Sequence, residues 1–299
     1  MKVLVTGGGG FIGSHLVDKL MAEGTDVVVL DNLFRGKKAN LSDHFSSERF
    51  TFIQGDIRDF HTCKDAVKGC DYVYHLAAQS NVMGAVKDLD YSFNTNVVGT
   101  YNVLKAAKDA NIRRFIFSSS RESYGEALKM PVREDHPLNA KNSYGASKVA
   151  GEKYCQVFAS MYGMETAIFR FANVYGPRDF DRVIPIFIQS ARSGEDINIF
   201  GGEQLIDFIS IEVIVSALLD ARANTGILNG PVNVGSGKGT SLFELAREIK
   251  QLASTECQVN ILPARSVEVV KFVASMERFK NTFKIPVPGD PLYFLARML

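Results

Sequence analysis

The chain has 299 residues, 46% hydrophobic and 22% charged, an ordinary globular make-up long enough for one large or two modest domains. Its 34 basic and 33 acidic residues leave a net charge of +1, so there is no overall field to hold nucleic acid or a membrane surface. No apolar run reaches the roughly 18 to 20 residues of a membrane-spanning helix, and a phosphate-bearing ligand must be held by a local site.

Glycines interrupt the N-terminus before a signal-peptide apolar region can form. Cys63, Cys70, Cys155 and Cys257 have neither CxxC nor metal-ligand spacing, so free thiols, no metal site and a reducing cytoplasm are expected.

Short β-branched runs alternate with amphipathic stretches from the first residues. Lys2–Thr6 leads into a helical pattern ending near Glu23, then into the run Asp26–Leu30. Thr51–Gln54, Asp71–Leu76, Arg114–Ser118 and Thr166–Phe171 continue the series, with helical periodicity near 59–69, 90–110 and 143–163. This alternation predicts an α/β fold, a doubly wound parallel sheet with helices on both faces. Beyond Asn173 the rhythm breaks, as Pro177, Pro185, Gly201, Gly202, Gly226, Gly230 and Pro231 punctuate shorter elements. Residues 1–172 therefore read as a cofactor domain and 173–299 as a smaller substrate-binding lobe, with parts of 207–234 returning to the main sheet.

Between the first strand and first helix lies Thr6-Gly7-Gly8-Gly9-Gly10-Phe11-Ile12-Gly13. Glycines at 7, 10 and 13 suit a tight turn, close backbone approach to a pyrophosphate and tight helix–strand packing, and the helix start offers free N–H groups to the anion. Alone, such a turn also fits a flexible loop. The second strand ends in Asp31, where a carboxylate can bind both ribose hydroxyls and repel the extra phosphate of NADP, favouring NAD. Arg35, Lys37 and Lys38 follow closely and pull the other way. Asp56 follows the third strand, placed either to reach an adenine edge or to cap a helix.

Ser143-Tyr144-Gly145-Ala146-Ser147-Lys148 puts Tyr144 and Lys148 four residues apart on one helix face. A phenol titrates near pH 10. A neighbouring ammonium and a cationic nicotinamide are expected to lower that value and make the tyrosine a base for a sugar hydroxyl. Ser120 ends the fifth strand, where doubly wound sheets place ligands, and can donate to the reacting oxygen. An ordinary surface Tyr/Lys pair and a serine that caps local backbone are the plainer readings of these two motifs.

Taken together and in order, Thr6–Gly13, Asp31, His75-Leu76-Ala77-Ala78, Asn96-Val97-Val98-Gly99-Thr100, Ser118–Ser120 and Tyr144 with Lys148 resemble the extended short-chain dehydrogenase/reductase family, in its NAD-dependent nucleotide-sugar epimerase/dehydratase branch. The resemblance implies a Rossmann-type domain, bound NAD and a catalytic set of Ser120, Tyr144 and Lys148. It places Gly7, Gly10, Phe11, Ile12, Gly13, Asp31 and Asn32 on the adenosine and pyrophosphate side. Asp56, Ile57, Leu76, Ala77, Ala78, Tyr144, Lys148 and Phe171 complete the cofactor site, with Asn96 supporting its architecture. Members usually dimerise through two helices per subunit, here 90–110 and 143–163.

The same resemblance gives Asn173 a hydrogen bond to the sugar diphosphate and Arg265 a clamp on it, and assigns Val183-Ile184-Pro185 and Phe200-Gly201-Gly202-Glu203-Gln204 to the nucleotide wall. An Asn in a turn and an exposed Arg are the plainer readings. Three departures stand out. Ile206 replaces an arginine usual before the Asp-Phe pair, Glu212 replaces the acidic residue common after the next strand, and the segment after Lys284 is short and Pro-rich.

Two reactions share an opening oxidation at C4 of the sugar. A 4-epimerase of the UDP-glucose/UDP-galactose type turns the keto-sugar over, whereas a 4,6-dehydratase needs an extra acid/base. Glu122 falls where dehydratases and sugar-acid decarboxylases carry a glutamate, and it equally fits a solvent-facing partner of Arg121. Chain length and the three-serine strand end favour the epimerase, with the dehydratase as alternative and an inactive nucleotide-sugar or NAD-binding protein behind both.

Overall fold

The computed structural model describes residues 1–299. Seven strands form one parallel sheet: β1 (Lys2–Thr6), β2 (Asp26–Asp31), β3 (Phe50–Gln54), β4 (Tyr72–His75), β5 (Arg114–Ser120), β6 (Glu165–Phe171) and β7 (Val232–Val234). Their spatial order is β7-β6-β5-β4-β1-β2-β3. The chain winds outward from β1 to β3, then returns to the other side of β1 at β4, so the carboxyl ends of β1 and β4 flank the switch point where such sheets bind ligands. β2 is in register with β3 from Val27 opposite Phe50 to Asp31 opposite Gln54.

Helices α1 (Phe11–Ala22), α2 (Phe60–Ala66), α3 (Thr100–Asp109), α4 (Ser143–Tyr162) and α5 (Ile211–Asp220) cover the sheet. On one face Leu16, Val17 and Leu20 of α1 join Ile214 and Leu218 of α5 over Val3, Val5, Val27 and Val29. On the other, Cys63, Val103, Leu104, Cys155 and Phe158 pack on Leu4, Val28, Val73 and Phe115. Burial on both faces explains why these strands read as continuous apolar runs instead of alternating ones. All four cysteines are free and buried, and no helix is long and apolar enough to cross a membrane.

The helical pattern expected over 90–110 is broken in three. A short α-helix, Leu89–Phe93, runs into a π-helical turn, Asn94–Gly99, before α3 begins. The wider turn buries the Asn96 side chain, which accepts from the Gln79 N–H at 2.7 Å and donates to the Ser147 hydroxyl at 3.0 Å. Side-chain bonds of this kind compensate the irregular ladder. α4 is uninterrupted: Asn142 caps it by accepting from the Gly145 N–H at 2.8 Å, and Gly163, at φ +67, ends it in a left-handed turn.

Residues beyond β6 divide their allegiance. β7 and α5 belong to the main sheet and its cover, while Asn173–Tyr175 pairs with Phe208–Ser210 outside it. A separate core of Ile184, Phe187, Ile197, Ile199, Leu245 and Ile249 holds the helices Val183–Ser193 and Leu242–Ala253 against a small sheet. The Pro-rich tail ends in this core through Phe294 and Leu295.

Candidate active site

The loops after β1, β4 and β5 and the second lobe enclose one large cleft. Gly7 has φ +72, and a side chain there would meet the Ala77 backbone nitrogen at 2.7 Å. At Gly13 a Cβ would run into the Gly7 carbonyl, whereas at Gly10 the nearest atom is that carbonyl oxygen at 3.2 Å. Gly10 heads α1 without any side-chain cap, so the first amides of the helix face the cleft free to bind an anion. A dinucleotide pyrophosphate fits this cradle.

Asp31 stands at the far end of the same groove. Its carboxylate accepts from the Gly9 N–H at 2.9 Å and the Leu33 N–H at 2.8 Å. Burial pushes the carboxyl up and these two amides only partly offset it. Asn32 lines the groove and donates to Asp56 at 2.9 Å. Asp56 also pairs with Arg58 at 2.8 Å, and its neighbours Gly55 and Ile57 line the groove. The basic residues beyond Asp31 are engaged elsewhere: Arg35 pairs with Asp181, Lys37 lies over the Phe180 ring and Lys38 over Phe45.

Phe11, Ile12, Leu76, Ala77, Ala78 and Phe171 line the cleft, whereas Asn96 lies behind it in the bonds already described. His75 is likewise structural. It sits between the hydroxyls of Thr6 at 2.7 Å and Thr100 at 2.9 Å, and burial pushes it down to about 3, so it stays neutral.

Ser120, Tyr144 and Lys148 converge at the end of β5. Tyr144, in the first turn of α4, lines the cleft beside Ser120, whose hydroxyl favours the ionised phenol. One turn on, the Lys148 ammonium donates to the Ser118 carbonyl at 2.7 Å and lies 5.7 Å from the centre of the Tyr144 ring. The expected tuning by Lys148 needs correction. Burial pushes the Tyr144 phenol up to about 12, and the groups that oppose this are Arg182, the Ser120 hydroxyl and Arg35. Lys148, buried and tied to Ser118, is itself pushed down to about 8 by desolvation.

Glu122 is not solvent-facing. Buried beside the catalytic trio, it pairs with Arg121 at 3.0 Å and accepts from the Asn142 amide at 2.7 Å. On the opposite wall Asn173 presents a buried amide oxygen with no partner in the chain, which leaves that amide capacity for a ligand. Arg265 stacks over Phe200 at 3.7 Å and donates to Glu268 at 3.1 Å. Ile206 lines the cleft where an arginine was expected, and Arg121, Arg182 and Arg265 supply positive charge around it.

Sequence reasoning missed Asn142, Arg182 and the segment around Asp181. Only Asn142 carried a local signal, as a cap residue just ahead of an apolar-periodic stretch.

Sheet order, glycine cradle and the Ser120/Tyr144/Lys148 cluster define an NAD-binding α/β enzyme with a second lobe over its cofactor. The profile of the NAD dependent epimerase/dehydratase family matches residues 3–235, and the chain belongs to that family. It is 41% identical over 258 residues to a putative UDP-glucose 4-epimerase of Methanocaldococcus jannaschii, covering 83% of this chain and 81% of the relative. Among solved structures it is similar to UDP-glucose 4-epimerase of Thermotoga maritima with UDP-glucose, at 32% identity and TM-score 0.91 over 100% of this chain and 98% of that one. It is also similar to DesIV, a dTDP-glucose 4,6-dehydratase of Streptomyces venezuelae with NAD bound, at 28% identity and TM-score 0.91, over 99% and 96%.

Proposed function

We propose that the chain is an NAD-dependent nucleotide-sugar 4-epimerase, an isomerase working through a transient 4-keto sugar, of the kind its UDP-glucose 4-epimerase relatives represent. The observation that carries this is the pairing of Glu122 with Arg121 and Asn142 beside an intact Ser120–Tyr144–Lys148 cluster. A 4,6-dehydratase needs a second proton donor or acceptor at the sugar. Here both oxygens of the Glu122 carboxylate are engaged.

NAD, when bound, supplies reversible oxidation at a hydroxyl-bearing carbon and a positive charge in the same cleft. Gly7–Gly13 and Asp31 would hold it, with Ala77 and Phe171 closing the reacting end. Ser120 orients the sugar hydroxyl by hydrogen bonding, and Tyr144 takes its proton and later returns it. Arg182 and Arg35 favour the deprotonated phenol by charge, with the Lys148 ammonium one helical turn away, and Asn173 and Arg265 hold the diphosphate. The shared opening step leaves the outcome to the groups beside the sugar, and Glu122, the carboxylate next to the catalytic trio, is held by Arg121 and Asn142.

The test is a panel of UDP-, GDP-, dTDP- and CDP-sugars followed by proton NMR. Interconversion at C4 is the expected result, and a 4-keto-6-deoxy product overturns the reading in favour of dehydration. Glu122→Gln is expected to slow interconversion by less than the 10²- to 10⁴-fold, in round terms, that loss of a general acid or base brings, roughly a few-fold. A loss of the larger size, measured on the same panel, would return Glu122 to the chemistry.

The same reading makes the protein a cytoplasmic homodimer. Buried free thiols suit a reducing compartment. Tyr101 of α3 and Tyr154, Val157, Met161 and Tyr162 of α4 form an exposed apolar strip, larger than a lone exposed residue explains. Light scattering should give twice the chain mass for the protein and the single-chain mass for Val157→Glu/Met161→Glu. An unchanged mass in that variant would mean a different interface.

A further inference from the structure

The segment 176–182 leaves the second lobe and crosses the amino-terminal end of α1. Its near anchor is Arg178, which pairs with Asp18 of α1 at 2.7 Å. At its end, Arg182 lies 5.6 Å over the ring of Phe11, the first residue of α1. At the far anchor, Asp181 accepts from Arg35 at 2.6 Å and from the Asn81 amide at 2.9 Å. Arg35 belongs to the stretch after Asp31, and Asn81 to the loop after β4. The intervening Phe180 ring lies under Arg35 at 5.3 Å and Lys37 at 5.0 Å.

Three chain segments, distant in sequence, thus meet at one carboxylate, and Phe11, Arg35, Asn81, Phe180, Asp181 and Arg182 all line the cofactor cleft. Gly10, the open point of the pyrophosphate cradle, lies directly before Phe11. The segment therefore ties the start of α1 to the Arg35 and Asn81 sides of the cleft.

We propose that residues 178–182 are a clasp over the bound dinucleotide and that Asp181 is its latch, a positioning residue that governs how slowly NAD leaves. The proposal rests on NAD binding and adds to it which residues retain the cofactor. Although burial pushes the Asp181 carboxyl up, Arg35 and Asn81 outweigh it and hold it below the usual carboxylate range. The latch is therefore charged at neutral pH. Arg35, at 22% side-chain exposure, and Asp181, at 26%, are accessible enough for salt to compete.

The experiment measures NAD release from the purified holoenzyme into excess unlabelled NAD, beginning with radiolabelled cofactor. Asp181→Asn and Arg35→Met are each expected to speed release about tenfold, the size expected when a partly buried charged hydrogen bond is lost. Wild-type release should quicken with salt, and release from Asp181→Asn should not. The exchange Arg35→Asp/Asp181→Arg should recover most of the wild-type rate, which a merely damaged fold would not. Release from Asp181→Asn at the wild-type rate, or no recovery in the exchanged pair, overturns the clasp. Sugar interconversion by the same wild-type sample, scored separately, shows whether the functional reading stands when the clasp does not.

Discussion

Replacing Tyr144 with phenylalanine is expected to lower kcat for C4 interconversion by about 10³-fold, within the range for removing a general acid/base, while leaving KM and NAD retention near wild type. The reasoning is geometric. The phenol is the one group that lines the cleft beside Ser120 and lies one helical turn from an ammonium. Its ring packs whether or not the oxygen is present, so the substitution removes chemistry and little else. The pH profile gives an independent check. Lys148 holds its proton only up to about 8 because burial pulls it down. The phenol, pushed up to about 12, ionises more as pH rises, so kcat/KM should climb towards pH 8 and level off or fall beyond it. Activity still climbing through pH 9 would show that a neutral lysine suffices. A variant Tyr144→Phe that keeps a tenth of its turnover would move the proton transfer to another group.

Arg170→Met is expected to destabilise the protein by about 3 to 5 kcal/mol, the size found when one partner of a buried ion pair is removed. Arg170 of β6 binds both oxygens of Glu152 on α4, at 2.9 and 2.6 Å, and reaches the Tyr124 hydroxyl and the Glu134 carbonyl, each at 2.9 Å. Glu152 also accepts from the Ser119 hydroxyl. Both charged side chains are almost wholly enclosed. The single variant leaves the Glu152 carboxylate alone in that environment, whereas Glu152→Leu/Arg170→Met removes both charges and should recover much of the loss. Urea unfolding of the two variants tests this, and a single variant within about 1 kcal/mol of wild type would mean that water reaches Glu152.

The strands, the glycine turn and the Tyr144/Lys148 pair were legible in the sequence because each is written in neighbouring residues. Gly7, Gly10 and Gly13 stand at intervals that only a turn into a helix requires, and a spacing of four puts two side chains on one helix face in any context. What was not legible depends on residues that meet only after folding. The π-helical turn at Asn94–Gly99 is held by Gln79 and Ser147, whose positions no local pattern announces. The Lys148 ammonium finds a carbonyl 30 residues earlier, and its distance from the phenol follows from that bond. Glu122 was ambiguous because its two partners come from different segments, Arg121 beside it and Asn142 across a loop. Asp181 belonged to a short charged stretch without periodicity, and nothing there foretold Arg35 or Asn81.

Tyr144, Lys148 and Glu152 lie along one stripe of α4, and the latter two fasten it to the Ser118 carbonyl and the Ser119 hydroxyl. None of these fastenings reaches the second lobe. Arg182, at the entrance to that lobe, is the one group from that side that bears on the phenol, so most of the lobe can change shape without touching the reacting centre. Transplanting residues 183–206 from a relative with another sugar preference, with Arg182 kept, should change which molecule is accepted and leave the proton-transfer step as it was.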